Sequence, residues 1–215
     1  MARQESELAD PQGHWQGIYE TRSDQELSWR QEDPTLSIAL IERFAPGHGA
    51  RILDIGAGES FLLGALFDRG YRCLSGLDIS SAALDRLADR LGHRATGIQL
   101  IQGDVLTASS MGPFDVWHDR AVFHFFTKES DRQRYVSLAA ASVTPGGVLA
   151  LATFSPQGPE QCSGLPVRRY SAVDLNHEFC REFEPLFAGE EVHQTPWGSS
   201  QSFTYVVMRR RPTEG

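Results

Sequence analysis

Cysteine is scarce in this 215-residue chain, with only Cys73, Cys162 and Cys180. The number is odd and no two form a CxxC pair, which argues against both a disulfide framework and a zinc ribbon. Free thiols fit a reducing compartment. Long apolar runs are missing too. None reaches the ~18 residues of a membrane span, and Met1 to Pro11 is polar and acidic, unlike a signal or transit peptide. A cytoplasmic protein with no membrane partner is the expectation. Positive charge is also in short supply: 20 Lys and Arg face 28 Asp and Glu, for a net charge of −8. That balance argues against a broad footprint on nucleic acid, and Arg209-Arg210-Arg211 reads as a solvated terminus.

A hydrophobic fraction of 40% and a charged fraction of 22% are ordinary for a globular domain. A chain of this length buries a sizeable core without cross-links. Residues 1–12 read as a disordered start. Residues 13–48 form an N-terminal segment with Trp15, Tyr19 and Trp29 among polar residues, and Pro34 opens a helix to about Phe44. The main domain, 49–215, alternates strand and helix signals. Strands are expected over 51–55, 72–77, 98–102, 114–118 and 148–154. Helices are expected over 60–69, 80–91 and 128–142, the last ended by Pro145-Gly146-Gly147. After a helix over 171–183, the runs 188–193 and 202–209 read as strands joined by Thr195-Pro196-Trp197-Gly198. The order predicts an α/β fold: a Rossmann-like three-layer α/β/α sandwich with a mostly parallel sheet and an antiparallel strand at the end.

The strongest local signal is Leu53-Asp54-Ile55-Gly56-Ala57-Gly58-Glu59-Ser60, where a strand passes into a helix. Gly56 and Gly58 permit a tight turn and close approach of a ligand beyond the strand end. The dinucleotide fingerprint needs a third glycine where this chain has Phe61. A pyrophosphate also prefers a helix N-terminus free of anions, whereas Glu59 and Asp54 flank this one. No Gly-Lys-Ser/Thr follows, so a P-loop is unsupported. The charge favours a cationic, phosphate-free ligand such as S-adenosylmethionine (SAM) over a nicotinamide dinucleotide. Asp78, followed by Ile79 at the end of the second strand, is placed to accept from two ribose hydroxyls; the plainer alternative is a helix cap. Asp104 and Val105 follow the third strand, where an acid meets an adenine amino group and an apolar neighbour meets the ring. A polar turn is the alternative there.

On these residues the chain resembles the class I SAM-dependent methyltransferases over roughly 34–210. Asp54-Ile55-Gly56-Ala57-Gly58 is similar to that family's first motif, Asp78 to its ribose acid, Asp104 to its adenine contact, and Pro145-Gly146-Gly147 to its late turn. The resemblance implies a seven-stranded sheet with only the last strand antiparallel. It also implies SAM held by Trp15, Tyr19, Trp29, Asp54, Gly56, Gly58, Ser60, Asp78, Ile79, Asp104, Val105 and Asp119. A narrower resemblance, to the thiopurine and halide/thiol methyltransferase branch, rests on three stretches. These are His14-Trp15 through Ser28-Trp29-Arg30-Gln31 as a lid, Trp117-His118-Asp119-Arg120-Ala121 after the fourth strand, and Gly164-Leu165-Pro166-Val167. In the second stretch His118 is an insertion and Ala121 replaces a glycine. The same segment also resembles the Asp-Lys-Gly of some protein-lysine methyltransferases.

Methyl transfer is an in-line displacement, for which a protein chiefly aligns the nucleophile and excludes water. A thiolate needs little help from a base, whereas a lysine amine must first lose a proton. Asp119 is the candidate to orient or deprotonate an acceptor, or to contact the cofactor's amino group. Arg120 is the candidate partner of a carboxylate, and a loop-fixing Asp119–Arg120 pair is the alternative. His124, in Phe123-His124-Phe125-Phe126, is either a base or a core histidine. Trp15, Tyr19 and Trp29 either cover a sulfonium or pack on the sheet. Cys162 reads as a loop thiol and His193 as a turn histidine. The expected activity is methyl transfer to a small-molecule acceptor, such as a thiol. A protein acceptor and a non-catalytic SAM-binding module stay open as alternatives.

Overall fold

The computed structural model describes residues 10–108 and 111–212. The chain begins with α1 (Pro11–Thr21), a 3-10 turn at Asp24–Glu26 and α2 (Thr35–Phe44). Alternation follows: β1 (Arg51–Ile55), α3 (Leu62–Asp68), β2 (Cys73–Asp78), α4 (Ser81–Leu91), β3 (Ile98–Gln102), β4 (Phe114–Arg120), α5 (Glu129–Ser142) and β5 (Val143–Phe154). A small hairpin, β6 (Gln161–Cys162) with β7 (Leu165–Pro166), precedes α6 (Ala172–Phe179) and the long pair β8 (Phe183–Gln194) and β9 (Ser200–Arg210). The main sheet has the order β3-β2-β1-β4-β5-β9-β8. Neighbours from β3 to β5 are parallel, and β9 is antiparallel to both β5 and β8. This is the Rossmann-like seven-stranded sheet with an antiparallel last strand that the sequence predicts.

Both faces of the sheet are covered, which is why its central strands are nearly continuous apolar runs. Alternate residues serve alternate faces. Ile52, Val116, Ala150, Ala152 and Tyr205 join a core with Ile38 and Ile41 of α2, Leu62 to Leu66 of α3 and Leu87 of α4. Leu53, Trp117, Leu149, Leu151 and Val206 join the opposite core with Tyr135 and Leu138 of α5 and Leu175 and Phe179 of α6. Helix α1 belongs to neither layer. Its Ile18 and Tyr19 pack with Leu27 and with Ala83 of α4. Among the described residues no helix is long and apolar enough to cross a membrane.

Several boundaries differ from expectation. Of the predicted disordered start, residues 1–9 lie outside the described residues, while Asp10 caps α1 by accepting from the Gly13 amide and Pro11 opens it; an acceptor at the N-cap and proline at N1 start a helix well. Pro145-Gly146-Gly147 lies inside β5 rather than before it. Strand β4 runs on to Arg120, because β5 continues alongside and pairs Ala152 with it. The Asp119-Arg120 pair therefore lies within the sheet, not in a loop after it.

Candidate functional site

A cavity of about 460 Å³ opens beyond the carboxyl ends of the parallel strands, and residues from β1, β2 and β4 and from the turn after β3 reach its wall. This is where an open α/β sheet binds its ligands. Trp15 and Tyr19 of α1, together with Trp29, line it on the N-terminal side. Trp15 meets Trp29 edge-on at 5.6 Å between centroids and Phe125 at 5.1 Å, and Tyr19 meets Trp29 at 6.3 Å. The three aromatics that the sequence scatters over fifteen positions are thus one cluster, and their packing on one another and on Phe125 holds a largely polar segment on the domain.

The glycine loop follows β1. Gly56 and Gly58 have positive φ, +63° and +46°. A Cβ on Gly56 would meet Val122 Cγ2 at 2.2 Å, and one on Gly58 would meet the Tyr19 hydroxyl at 2.4 Å. Both positions therefore need glycine twice over, for backbone conformation and for space. Asp78 ties the loop to β2: its Oδ2 accepts from the Gly58 amide at 2.8 Å and its Oδ1 from the Ser80 amide at 2.9 Å. Burial pushes the Asp78 carboxyl up to about 6, against the pull of these amides. Asp78 and Ile79 also line the cavity, as do Asp104 and Val105 beyond β3. Asp104 Oδ1 accepts from the Leu106 amide, fixing its turn. The cap of α4 is Ser80, which accepts from the Ala83 amide, so Asp78 braces the loop and Asp104 its turn without leaving the cavity wall.

Ser60 and Glu59 behave differently from a simple reading. Ser60 lies outside the main cavity, beside a narrower cleft behind the loop, and accepts from the Leu62 amide at the start of α3. Glu59 is not a free anion at the loop. Its carboxylate is paired with Arg86 and Arg90 of α4, both at 2.7 Å. The charge argument against a pyrophosphate thus rests on Asp54 and not on Glu59.

Asp54 lines that narrower cleft with Gly56, Gly58, His118 and Arg120. Its Oδ1 is 2.7 Å from His118 Nδ1, across the β1–β4 register that sets Asp54 opposite His118. His118 Nε2 is 2.9 Å from Ser37 Oγ on α2. Asp54 Oδ2 is buried with no hydrogen-bond partner among the described residues. Arg120 carries the complementary orphan. Its Nε donates to the Tyr205 hydroxyl at 3.1 Å, its Nη1 donates to the Trp29 carbonyl at 2.9 Å, and its guanidinium lies 4.6 Å over the Phe203 ring. Arg120 Nη2 is buried with no hydrogen-bond partner among the described residues. An unsatisfied acceptor on an anion and an unsatisfied donor on a cation therefore line one cleft. Buried charged groups left in this way are costly, and a zwitterionic amino-acid group has the donor and the acceptor that would answer them.

Two predicted catalytic residues are not in the cavity wall. Asp119 is fully buried on the opposite face, where it accepts from the Val122 and Phe123 amides and from the Tyr135 hydroxyl. Period-two alternation turns it toward α5 when it turns Arg120 toward the cleft. Among the described residues Asp119 makes neither the alternative pair with Arg120 nor any approach to the cavity where an acceptor or cofactor amino group was expected to meet it. His124 is also fully buried. Its Nδ1 accepts from the Phe154 amide, its ring packs on Phe125 and Phe154, and burial lowers it to about 3. It is a neutral core histidine, as its apolar setting allows.

Other residues turn out closer to the site than the sequence suggests. Cys162, read as a loop thiol, is buried in the cavity wall beside Leu165 and Pro166, and burial raises it to about 11. His193, read as a turn histidine, is buried and bonds the Ser28 carbonyl through Nε2 at 2.8 Å. Glu191 accepts from the Tyr205 hydroxyl and from Gln31. The β8–β9 pair thus holds both Arg120 and the segment around Trp29. No periodicity announces such contacts; only the β1–β4 register makes Asp54 and His118 partners. Among the described residues no group of three or more His, Cys, Asp and Glu side chains is arranged to hold a metal.

The core of this arrangement matches a protein-family profile described as a methyltransferase domain, over residues 52–147. An uncharacterized methyltransferase of Mycobacterium tuberculosis is 30% identical over 117 residues, covering 54% of this chain and 56% of that protein. The eEF1A lysine and N-terminal methyltransferase of Danio rerio is 26% identical over 119 residues, covering 55% of this chain and 17% of that protein. The chain thus spans about half the length of the first of these relatives and a small part of the second. A solved structure of similar fold is the Burkholderia thailandensis 1,6-didemethyltoxoflavin-N1-methyltransferase. It has a TM-score of 0.75 at 18% identity, with 99% of this chain and 92% of that one covered.

Proposed function

We propose that this chain is a SAM-dependent methyltransferase acting on a small-molecule acceptor. The observation that carries the cofactor is the pair of buried orphans in one cleft, Asp54 Oδ2 and Arg120 Nη2. They suit the ammonium and the carboxylate of a methionine moiety. Asp78 suits the ribose hydroxyls, Asp104 the adenine amino group, and Ile79 and Val105 the faces of the ring. Gly56 and Gly58 let the chain pass close by, and Ser60 supports the loop by starting α3. Bound there, SAM supplies a methyl group on a positive sulfonium. Trp15, Tyr19 and Trp29 present aromatic faces to that charge and shield it from water.

The acceptor end of the cavity is walled by Trp15, Trp29, Phe125, Cys162, Leu165 and Pro166. Asp119 and His124, the expected acid and base, are both sealed away from it, and the Cys162 thiol is held protonated. The carboxylates that do line the cavity, Asp78, Asp104 and Asp131, come from the β2 and β3 ends and from α5. A wall of this kind suits an apolar or aromatic acceptor that ionises by itself near neutral pH, such as a thiol, and among the described residues β4 brings no acid to it for a lysine ammonium. This is also the acceptor class of the thiol methyltransferase branch that the sequence resembles.

The second reading, a protein-lysine acceptor, draws on the similarity to the Danio rerio enzyme. One experiment separates the two. The protein is incubated with methyl-labelled SAM and, in parallel, with aromatic thiols, phenols and a cell extract. The expected result is turnover of thiols with no labelled protein band. A specific labelled band with no small-molecule turnover would overturn the small-molecule reading. SAM binding without turnover of any acceptor would leave a binding module.

A further inference from the structure

Ser37, His118 and Asp54 form a continuous buried chain of hydrogen bonds from α2 to the cleft behind the glycine loop. An ionised carboxylate only accepts, so His118 Nδ1–H donates to Asp54 Oδ1 at 2.7 Å. The other ring nitrogen, Nε2, is hydrogen-bonded to Ser37 Oγ at 2.9 Å. Ser37 is 2% exposed, so its hydroxyl serves the ring and not an outside molecule. The chain occupies one oxygen of Asp54 and leaves the other, Oδ2, without a partner among the described residues.

From this we infer that His118, backed by Ser37, is a positioning residue for the cofactor's amino-acid tail. It acts through Asp54. An aspartate in a glycine-loop strand has a terminal torsion with broad wells, and either oxygen can take the outward place. A donor fixed in the neighbouring strand removes that freedom and presents one oxygen in one orientation. The neighbouring helix in turn fixes the ring, because a histidine nitrogen's tautomer and tilt are set by the bond its other nitrogen makes. The inference rests on the cofactor reading above and adds two residues to it, one of them in the N-terminal segment. It also gives a role to the extra residue that separates Trp117 from Asp119. In a strand that residue takes the face opposite both its neighbours, which is the Asp54 face.

The test compares two ligands by calorimetry. S-adenosylhomocysteine carries the amino-acid tail, and 5′-methylthioadenosine carries the same nucleoside without it. In the unaltered protein the first is expected to bind more tightly. His118→Ala is expected to weaken S-adenosylhomocysteine by roughly tenfold, the scale of one charge-assisted hydrogen bond, and to leave methylthioadenosine within about twofold. His118→Asn, whose amide nitrogen stands near the place of Nδ1, is expected to restore most of the loss. Ser37→Ala, a small change that keeps the ring, is expected to show a partial loss with the same ligand selectivity, and it keeps the test open should His118→Ala fold poorly. Equal weakening of both ligands, or no change in either, would overturn the positioning role. Failure of the unaltered protein to bind either ligand would overturn the cofactor reading itself, a distinguishable result.

Discussion

Asp119 and Arg120 are adjacent in sequence and serve opposite faces of the sheet. Asp119 is bonded to Tyr135 on α5, which also accepts from the Trp117 indole, while Arg120 is bonded to Tyr205 and to the Trp29 carbonyl beside the cleft. Substitution should therefore separate them. Arg120→Lys loses the planar fork that makes these bonds and is expected to weaken S-adenosylhomocysteine by about tenfold or more, with methylthioadenosine unaffected. Asp119→Asn is expected to leave both affinities unchanged and to destabilise the fold by about 1–3 kcal/mol, lowering the melting temperature by roughly 2–10 °C. Calorimetry and thermal unfolding of the two variants check this. An Asp119→Asn protein of full stability and lost turnover would contradict it.

The glycines make a second contrast. Gly58→Ala places a methyl group against the Tyr19 hydroxyl at a backbone position with φ of +46°, so Tyr19 must leave its place over the loop. Cofactor affinity is expected to fall by at least tenfold, roughly the effect of 1.4 kcal/mol. Gly146 also has positive φ, +83°, but nothing lies within 4 Å of its added Cβ. Gly146→Ala is expected to cost about 1–2 kcal/mol of stability through backbone strain and to bind normally.

Cofactor affinity should depend on pH through Asp78. Its carboxyl is raised to about 6 by burial, and only its ionised form accepts two hydroxyl hydrogens. Affinity for S-adenosylhomocysteine is expected to be flat above about pH 7 and to fall below about pH 6, approaching tenfold per pH unit. The sign for stability is the reverse. Because the folded group holds its proton more tightly than the unfolded one, near 3.9, its contribution to the ligand-free fold is fullest below about pH 4 and is lost as the pH rises through 6. Asp78→Asn should bind weakly with a flat profile. A pH dependence that survives this change would assign it elsewhere.

The thiols should divide two to one. Cys73 and Cys180 are exposed, whereas Cys162 is buried in the cavity wall and raised to about 11. The thiolate is the reactive form. At pH 7.5 a disulfide reagent is expected to titrate two thiols quickly and the third only after denaturation. Three fast thiols would place Cys162 outside the wall.

Much of the molecule is legible in the sequence. Apolar runs of strand length, separated by helical periodicity, are what a parallel sheet buried on both faces requires, so the order of elements and the glycine loop at the end of β1 follow from local pattern alone. Asp78 and Asp104 are legible for the same reason, since they stand where strands end. What tertiary structure decides is which face a polar residue meets. Asp119 looked like the functional acid because it was expected in a loop just beyond the fourth strand. The extension of β4 along β5 made it a strand residue and turned it to α5. His118 looked like an insertion and became the partner of Asp54 through the β1–β4 register. Glu59 looked like a free charge and was neutralised by α4. Local chemistry fixes which elements form and where a chain can turn. Pairing register and the packing of distant helices fix which side chains meet, because those contacts join residues whose separation along the chain carries no periodic signal.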